Sequence, residues 1–435
     1  MPKTVHVIGG GLAGVEAAYC LAQSDIPVML WEMRPVSMTP AHKTDLLSEL
    51  ICSNSFKGAD PVTAHGLLKK ELSELRSLVL TAAHATRVPS GKALAVDRRA
   101  FAQRITAIIT AHPRIEVIRK EVLSLNLDIP TIIATGPLTS ETLAGNIAQI
   151  TDRERLFFYD AISPIVDAES IDYSRAFFGS RWSGDDRDYL NCSLDRDAYT
   201  TLVQALLKAD KVSPHPFEDI RFFEGCLPIE VIAARGHDSL RFGPMRPVGL
   251  INPHTGKRPY AVLQLRKEDL KGDAYNLVGF QTRLTYAEQQ RVLRLIPALH
   301  AVRFLRFGSM HRNTFIESPQ VLGKDLSLKG HRHIIFAGQI TGVEGYMESA
   351  ATGIMAAYSM LAVLKGKPFT PPLPESAIGA LLHYITDEHI SVFQPMNINF
   401  GIFPTPDVPK KMKRSVLLQR EELAFTTWLA SIDYL

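Results

Sequence analysis

Short apolar runs alternate along the chain with segments of helical periodicity. Residues 4–8 are apolar and β-branched, an alanine-rich helical pattern follows a cluster of glycines, and residues 28–31 are apolar again up to Glu32. That order predicts strand, glycine turn, helix, strand. Turn formers fill the next stretch, and residues 45–51 read as a short helix entering the polar loop Cys52, Ser53, Asn54, Ser55. Leucines at helical spacing predict one helix over 64–83, with Lys69 and Lys70 as a basic patch. Strands are expected at 93–96, 115–118 and 131–134, and Asp97 as the cap of a helix over 99–110.

From residue 151 the texture changes. Strand patterns such as 156–159 and 261–265 alternate with Pro- and Gly-rich connections, and aromatics interleave with arginines at Phe177, Arg181, Trp182, Tyr189 and Tyr199. Residues 331–336 return to a buried-strand pattern, followed by a glycine-rich turn and a long helix of small residues. A proline-rich hinge at 368–374, a helix over 376–386 and an amide-rich loop over 394–401 come next. The expected fold class is α/β: a Rossmann-like, doubly wound domain made of 1–150 and 325–435, with a mixed α/β domain, 151–324, inserted into it.

Gly9, Gly11 and Gly14 stand in G-x-G-x-x-G spacing between the first strand and helix, with Glu32 lying 18 residues past Gly14. This context points to a dinucleotide rather than a chance glycine turn. Gly9 makes the tight turn, Gly11 lets a pyrophosphate approach the backbone, and Gly14 lets the helix lie close on the strand. Gly10, Leu12 and Ala13 complete the turn, and the phosphates would sit at the helix N-terminus, where free N–H groups and the dipole favour negative charge. Glu32, followed by Met33, is placed to accept hydrogen bonds from the adenosine ribose, and an acid there suits FAD or NAD better than NADP. A strand ending in Ala134-Thr135-Gly136 recurs beside the cofactor in flavoproteins with two dinucleotide domains. The late turn, with Gly338, Gln339, Gly342, Gly345 and Tyr346, resembles the return of a flavin domain, its helix N-terminus facing the flavin's pyrimidine end. The alternative is an ordinary glycine-punctuated helix start.

A chain of 435 residues has room for two or three domains, and 46% hydrophobic with 21% charged residues is ordinary for a soluble protein. No run approaches the roughly 18 apolar residues of a membrane span. The first apolar run is broken by the glycine turn, unlike a secretory signal, so the expected compartment is the cytoplasm. A net charge of +3 neither demands nor excludes nucleic acid. Basic stretches such as Arg241, Arg246 and Lys257-Arg258 could meet phosphates or be solvated faces.

The four cysteines contain no C-x-x-C pair, so neither a disulfide framework nor a zinc site is expected, and no metal site is foreseen elsewhere. Cys52 heads a polar loop, and Cys226 lies between Gly225 and nearby Pro228. Either could be a reactive thiol or a buried inert one. Cys20, on the alanine-rich helix, reads as a small core residue.

Taken together, these stretches resemble the folate- and FAD-dependent tRNA (uracil-5-)-methyltransferases of bacteria. The resemblance is carried by IGGGLAGVEAA at 8–18, then WEMRP, LICSNSFKG, VPSGKALAVDR, IATGPLTS, FEGCLPIEVIA, GPMRPVGL, MHRNTF, FAGQITGVEGYMES and FQPMNINFG. The late turn is also similar to the larger flavoprotein that carboxymethylaminomethylates wobble uridines. The resemblance implies a one-carbon transfer from methylenetetrahydrofolate to C5 of the T-loop uridine of tRNA, making ribothymidine, with FAD as cofactor and NAD(P)H as hydride source. It implies Cys226 as the thiolate that adds to uracil C6, and Cys52 as a thiol at the flavin, acting as general base or capturing the methylene. It also implies folate and the tRNA T arm as partners and no membrane, with the oligomeric state open. Reaching uracil C6 requires an unstacked base held in a pocket, and interleaved arginines and aromatics suit phosphate contacts and stacking. Two rivals stand: the same chemistry on a ribosomal RNA uridine, and a non-catalytic flavoprotein that binds tRNA as a folding aid.

Overall fold

Five of the apolar runs lie side by side in one sheet of the computed structural model, which describes residues 3–153, 156–181, 188–212 and 227–432. Trp182 and Cys226 lie outside the described residues. The sheet runs Ser327–Leu328, His331–Phe336, Thr131–Ile133, Val5–Ile8, Val28–Glu32, Ile115–Arg119, and all pairs after the first are parallel. A parallel sheet is covered on both faces, and the alternation shows it. Val5, Val7, Ile132 and Ile335 join one core, whereas Ile8, Ile133, Ile334 and Phe336 join another with Leu143 and Ile147 of the helix Glu141–Thr151.

On the first face the helices Leu12–Gln23 and Tyr346–Leu364 pack in close contact. A Cβ added at Gly353 would stand 2.3 Å from the carbonyl oxygen of Ala13, so only glycine fits at the crossing. By length and composition Tyr346–Leu364 could cross a membrane, but 83% of its apolar window is buried inside this fold.

The second sheet is antiparallel throughout, ordered Ala176–Phe178, Tyr189–Leu194, Ala261–Lys267, Ala274–Leu277, Ile165–Asp167, Phe304–Arg306. It has its own core, to which the helix Arg196–Lys208 contributes Tyr199, Leu202, Val203 and Leu206. The strands Leu156–Ala161 and Met310–Phe315 pair as a two-stranded ribbon through which the chain leaves for this sheet and returns.

Two expected helices are corrected. Residues 45–51 are not helical, because distant partners take their backbone groups. Leu47 N–H donates to Thr106 Oγ1 at 2.9 Å, Ser48 N–H to Gly10 O at 2.9 Å, and Ser48 has φ of 54°. The helix over 64–83 is two helices, Ala64–Glu74 and Leu78–Ala85, broken at Arg76 with φ of 56°. Ser77 caps the second, and buried Glu16 accepts from the N–H groups of Leu78 and Val79 at 3.1 and 2.8 Å, satisfying donors a helix start leaves free. The basic patch fails too: Lys69 is buried, its Nζ donating to Gly58 O and His65 O, while Lys70 stays outside beside Glu422. The cap at Asp97 is found, accepting from Ala100 N–H at 2.9 Å.

Candidate active site

The glycine turn opens at the carboxyl end of Val5–Ile8, where a parallel sheet presents its ligand crevice. Gly9 has φ of +108°, and a Cβ there would stand 2.4 Å from Ala134 O. Gly11 starts the helix Leu12–Gln23, and a Cβ at Gly11 would meet nothing, since that side faces open cleft. The cleft encloses about 1330 Å3 of empty space, open solvent at its mouth included.

Gly9, Gly10, Gly11, Leu12, Ala13, Glu32, Met33, Cys52, Gly136, Gly338, Gln339, Gly345 and Tyr346 all line it. Stretches more than 300 residues apart in sequence thus meet at one wall. Gly342, expected beside the cofactor, is not on the lining, and neither is Gly14, expected to let the helix lie close on its strand. Gly14 sits beneath the turn, where a Cβ would be 1.8 Å from Gly9 O, so it serves helix packing. Gly342 packs under Phe393, whose Cζ would lie 2.4 Å from an added Cβ.

Glu32 is buried at the cleft, and four donors already reach it: Gly10 N–H, Arg34 N–H, and Arg34 Nε and Nη2, at 3.0, 3.0, 2.9 and 3.1 Å. Burial alone would raise its carboxyl; hydrogen bonds and charge from Arg34 hold it below the usual range. Arg34 escaped the sequence reading, although an arginine two residues past the acid is a signal that could have been weighed.

The Cys52 loop is fastened at both sides. The Tyr346 hydroxyl accepts from the N–H groups of Cys52 and Ser53, both at 3.1 Å, and donates to Ser53 O at 2.9 Å. From the second sheet, Arg266 Nε donates to Asn54 Oδ1 at 2.9 Å, and Asn54 Nδ2 donates to Lys267 O and Val96 O, each at 2.9 Å. Arg98 holds the carbonyls of Leu50 and Ile51 and pairs with Glu268. The loop that carries the thiol is therefore held from both sides. Cys20 and Cys192 pack into the two cores, where burial pushes their thiols up, so neither is a nucleophile near neutral pH.

The ribbon supplies a wall that sequence reasoning did not foresee, Asp160, His311 and Asn313, with Ile162 just past its first strand. His311 is depressed to about 4, by burial and then by Arg306, and is neutral at physiological pH. Glu344 completes that side next to Gly345, its carboxylate hydrogen-bonded by the Gln339 amide. Burial, then the charge of Asp160, pushes Glu344 up to about 8, so it keeps its proton at neutral pH. The stability this contributes is complete below the ordinary value of 4.5 and is lost as pH rises towards 8. Glu344→Gln is expected to flatten the fall of Tm across that window; an unchanged slope would rule out Glu344 as its source.

A doubly wound sheet with this glycine turn defines a dinucleotide-binding protein of the flavoprotein type. The family model described as Glucose inhibited division protein A matches residues 4–368. The fold is similar to that of Aquifex aeolicus GidA, at a TM-score of 0.71 and 16% identity, covering 99% of this chain and 74% of that one. The methylenetetrahydrofolate–tRNA-(uracil-5-)-methyltransferase TrmFO of Moorella thermoacetica is 52% identical over 437 residues, covering 100% of this chain and 99% of the relative. TrmFO of Aquifex aeolicus is 52% identical over 426 residues, covering 97% and 95%. The chain belongs to the TrmFO family, within the broader glucose-inhibited division protein A group.

Proposed function

We propose that this chain methylates C5 of the T-loop uridine of tRNA, using methylenetetrahydrofolate, resident FAD and NAD(P)H. The observation that carries the reading is Cys52 on the wall of the same cleft as the glycine turn. The residues present fit FAD. The bare backbone at Gly11 and the free N–H groups of the helix start suit a pyrophosphate, and Glu32 suits a ribose whose hydroxyls replace Arg34 donors. Gln339, Gly345 and Tyr346 would hold the flavin end. When bound, the flavin supplies the redox chemistry that turns a methylene into a methyl group.

The chain's own residues do the rest. Cys226 adds through sulfur to uracil C6 and thereby makes C5 nucleophilic. Cys52 takes up or delivers a proton beside the flavin, held in place by Tyr346. The partners are folate and the T arm of tRNA, and the setting is the cytoplasm, where that RNA is found.

The test is a transfer assay with labelled methylenetetrahydrofolate, offered a tRNA transcript and a ribosomal RNA fragment side by side. Label in the T-loop uridine is expected. Label confined to the ribosomal fragment would move the target, and no label in either would overturn the reading.

A further inference from the structure

Strand Phe304–Arg306 forms an edge of the second sheet, its pairing to Ile165–Asp167 shifting register between Phe304 and Arg306; Leu305 is exposed, whereas Phe304 and Arg306 are half-buried. The Phe307 ring stacks on Phe304, with centroids 4.9 Å apart and planes at 17°, and on Tyr286, at 4.7 Å and 16°. Phe307 is thus the middle of three stacked rings. The outermost, Tyr286, in the first turn of the helix Tyr286–Leu293, is 59% exposed. A stack that ends in an exposed ring offers another layer to a flat ligand.

Arg306 stands on the same strand, half-buried, and among the described residues no hydrogen bond or ion pair engages its guanidinium. Its charge reaches the cleft wall, where it is felt at His311 and His42. The carboxylates near it are taken: Glu49 pairs with Arg34, and Glu268 with Arg98. Neighbouring arginines are taken as well, Arg303 by Asp167 and Arg291 by Glu288. A partly desolvated guanidinium whose nearby carboxylates are engaged by other arginines is a receptor for an anion.

The location favours RNA. Val212 N–H donates to Arg283 O at 2.8 Å and Ile229 N–H to Gln281 O at 2.7 Å, and Ile229 is three residues past Cys226 in the sequence. The described flanks of the uridine-attacking cysteine are thus anchored immediately ahead of Tyr286.

We propose that Tyr286 and Arg306 form a nucleotide subsite of the RNA substrate beside the cleft, an unpaired base extending the three-ring stack and its phosphate meeting Arg306. The inference rests on RNA methylation being the function. The benzoyl-glutamate tail of folate also offers a ring and an anion, so the test separates the two.

The FAD-loaded chain is titrated with a T-arm hairpin RNA by fluorescence anisotropy over a salt series, as wild type, Tyr286→Ala, Tyr286→Phe and Arg306→Gln. FAD content and the KM for methylenetetrahydrofolate are measured alongside. Tyr286→Ala is expected to weaken RNA binding about tenfold and Tyr286→Phe to restore it. Arg306→Gln is expected to lower the slope of log Kd against log salt by about one, with the folate KM unchanged. Wild-type affinity and slope in Tyr286→Ala and Arg306→Gln, or a defect confined to the folate KM, would overturn the subsite. If the wild type methylates the hairpin while those variants bind it normally, only the subsite falls; a wild type that neither binds nor methylates it defeats both readings.

Discussion

A Cys226→Ala variant is expected to lose methyl transfer altogether while purifying yellow, with its FAD intact. In the proposed mechanism the thiolate's bond to uracil C6 is the step that makes C5 a nucleophile. The glycine turn does not depend on that residue, which fixes the second half of the expectation. Cys52→Ala provides the contrast: a lost proton-transfer group lowers turnover by about a hundred- to ten-thousandfold. RNA carrying 5-fluorouracil in the T loop separates the two roles, because it should be trapped covalently by Cys52→Ala and not by Cys226→Ala. Full methylation by Cys226→Ala would instead favour the folding-aid reading.

Gly14→Val is expected to cost the protein both its flavin and its stability. The added carbon would stand 1.8 Å from the carbonyl oxygen of Gly9, backbone against backbone, and no side chain can swing aside. Relief requires moving the helix Leu12–Gln23 off its strand, and that helix also carries the packing against Tyr346–Leu364. The cost should reach or exceed about 3 kcal/mol, the upper end for overpacked cores. Gly11→Val is the control, for a Cβ there meets no protein atom. It should keep the denaturation midpoint of the FAD-free wild type and still come off the column colourless, since its side chain would occupy the place of the pyrophosphate. A yellow Gly14→Val protein with an unchanged midpoint would refute the packing argument.

The dinucleotide turn is legible in the sequence because its requirements are local: a strand, three glycines at fixed spacing, a helix and an acid fall within thirty residues. The strands of the parallel sheet are legible for a related reason, since burial on both faces makes each mostly apolar, with interruptions such as His6 and Glu116. What escapes depends on partners distant in sequence. Residues 45–51 carry a helical pattern, but the carbonyl of Gly10 and the hydroxyl of Thr106 claim their N–H groups. Lys69 reads as a surface cation and is drawn inside by the carbonyls of Gly58 and His65. Asp160 and His311 face each other across the ribbon, and no spacing rule connects positions so far apart. Gly342 misleads because a positive φ and a tight contact look alike in sequence, whether the neighbour is a cofactor or Phe393.

The bonds from Arg266 and Asn54 have a consequence for how this enzyme can be divided. A chain cut down to the glycine-turn domain would keep the turn and Glu32 but lose the ribbon wall of the cleft and the strand that fixes the Cys52 loop from the other side. In the proposed mechanism the site is therefore the joint property of two sheets and cannot be transplanted as a module.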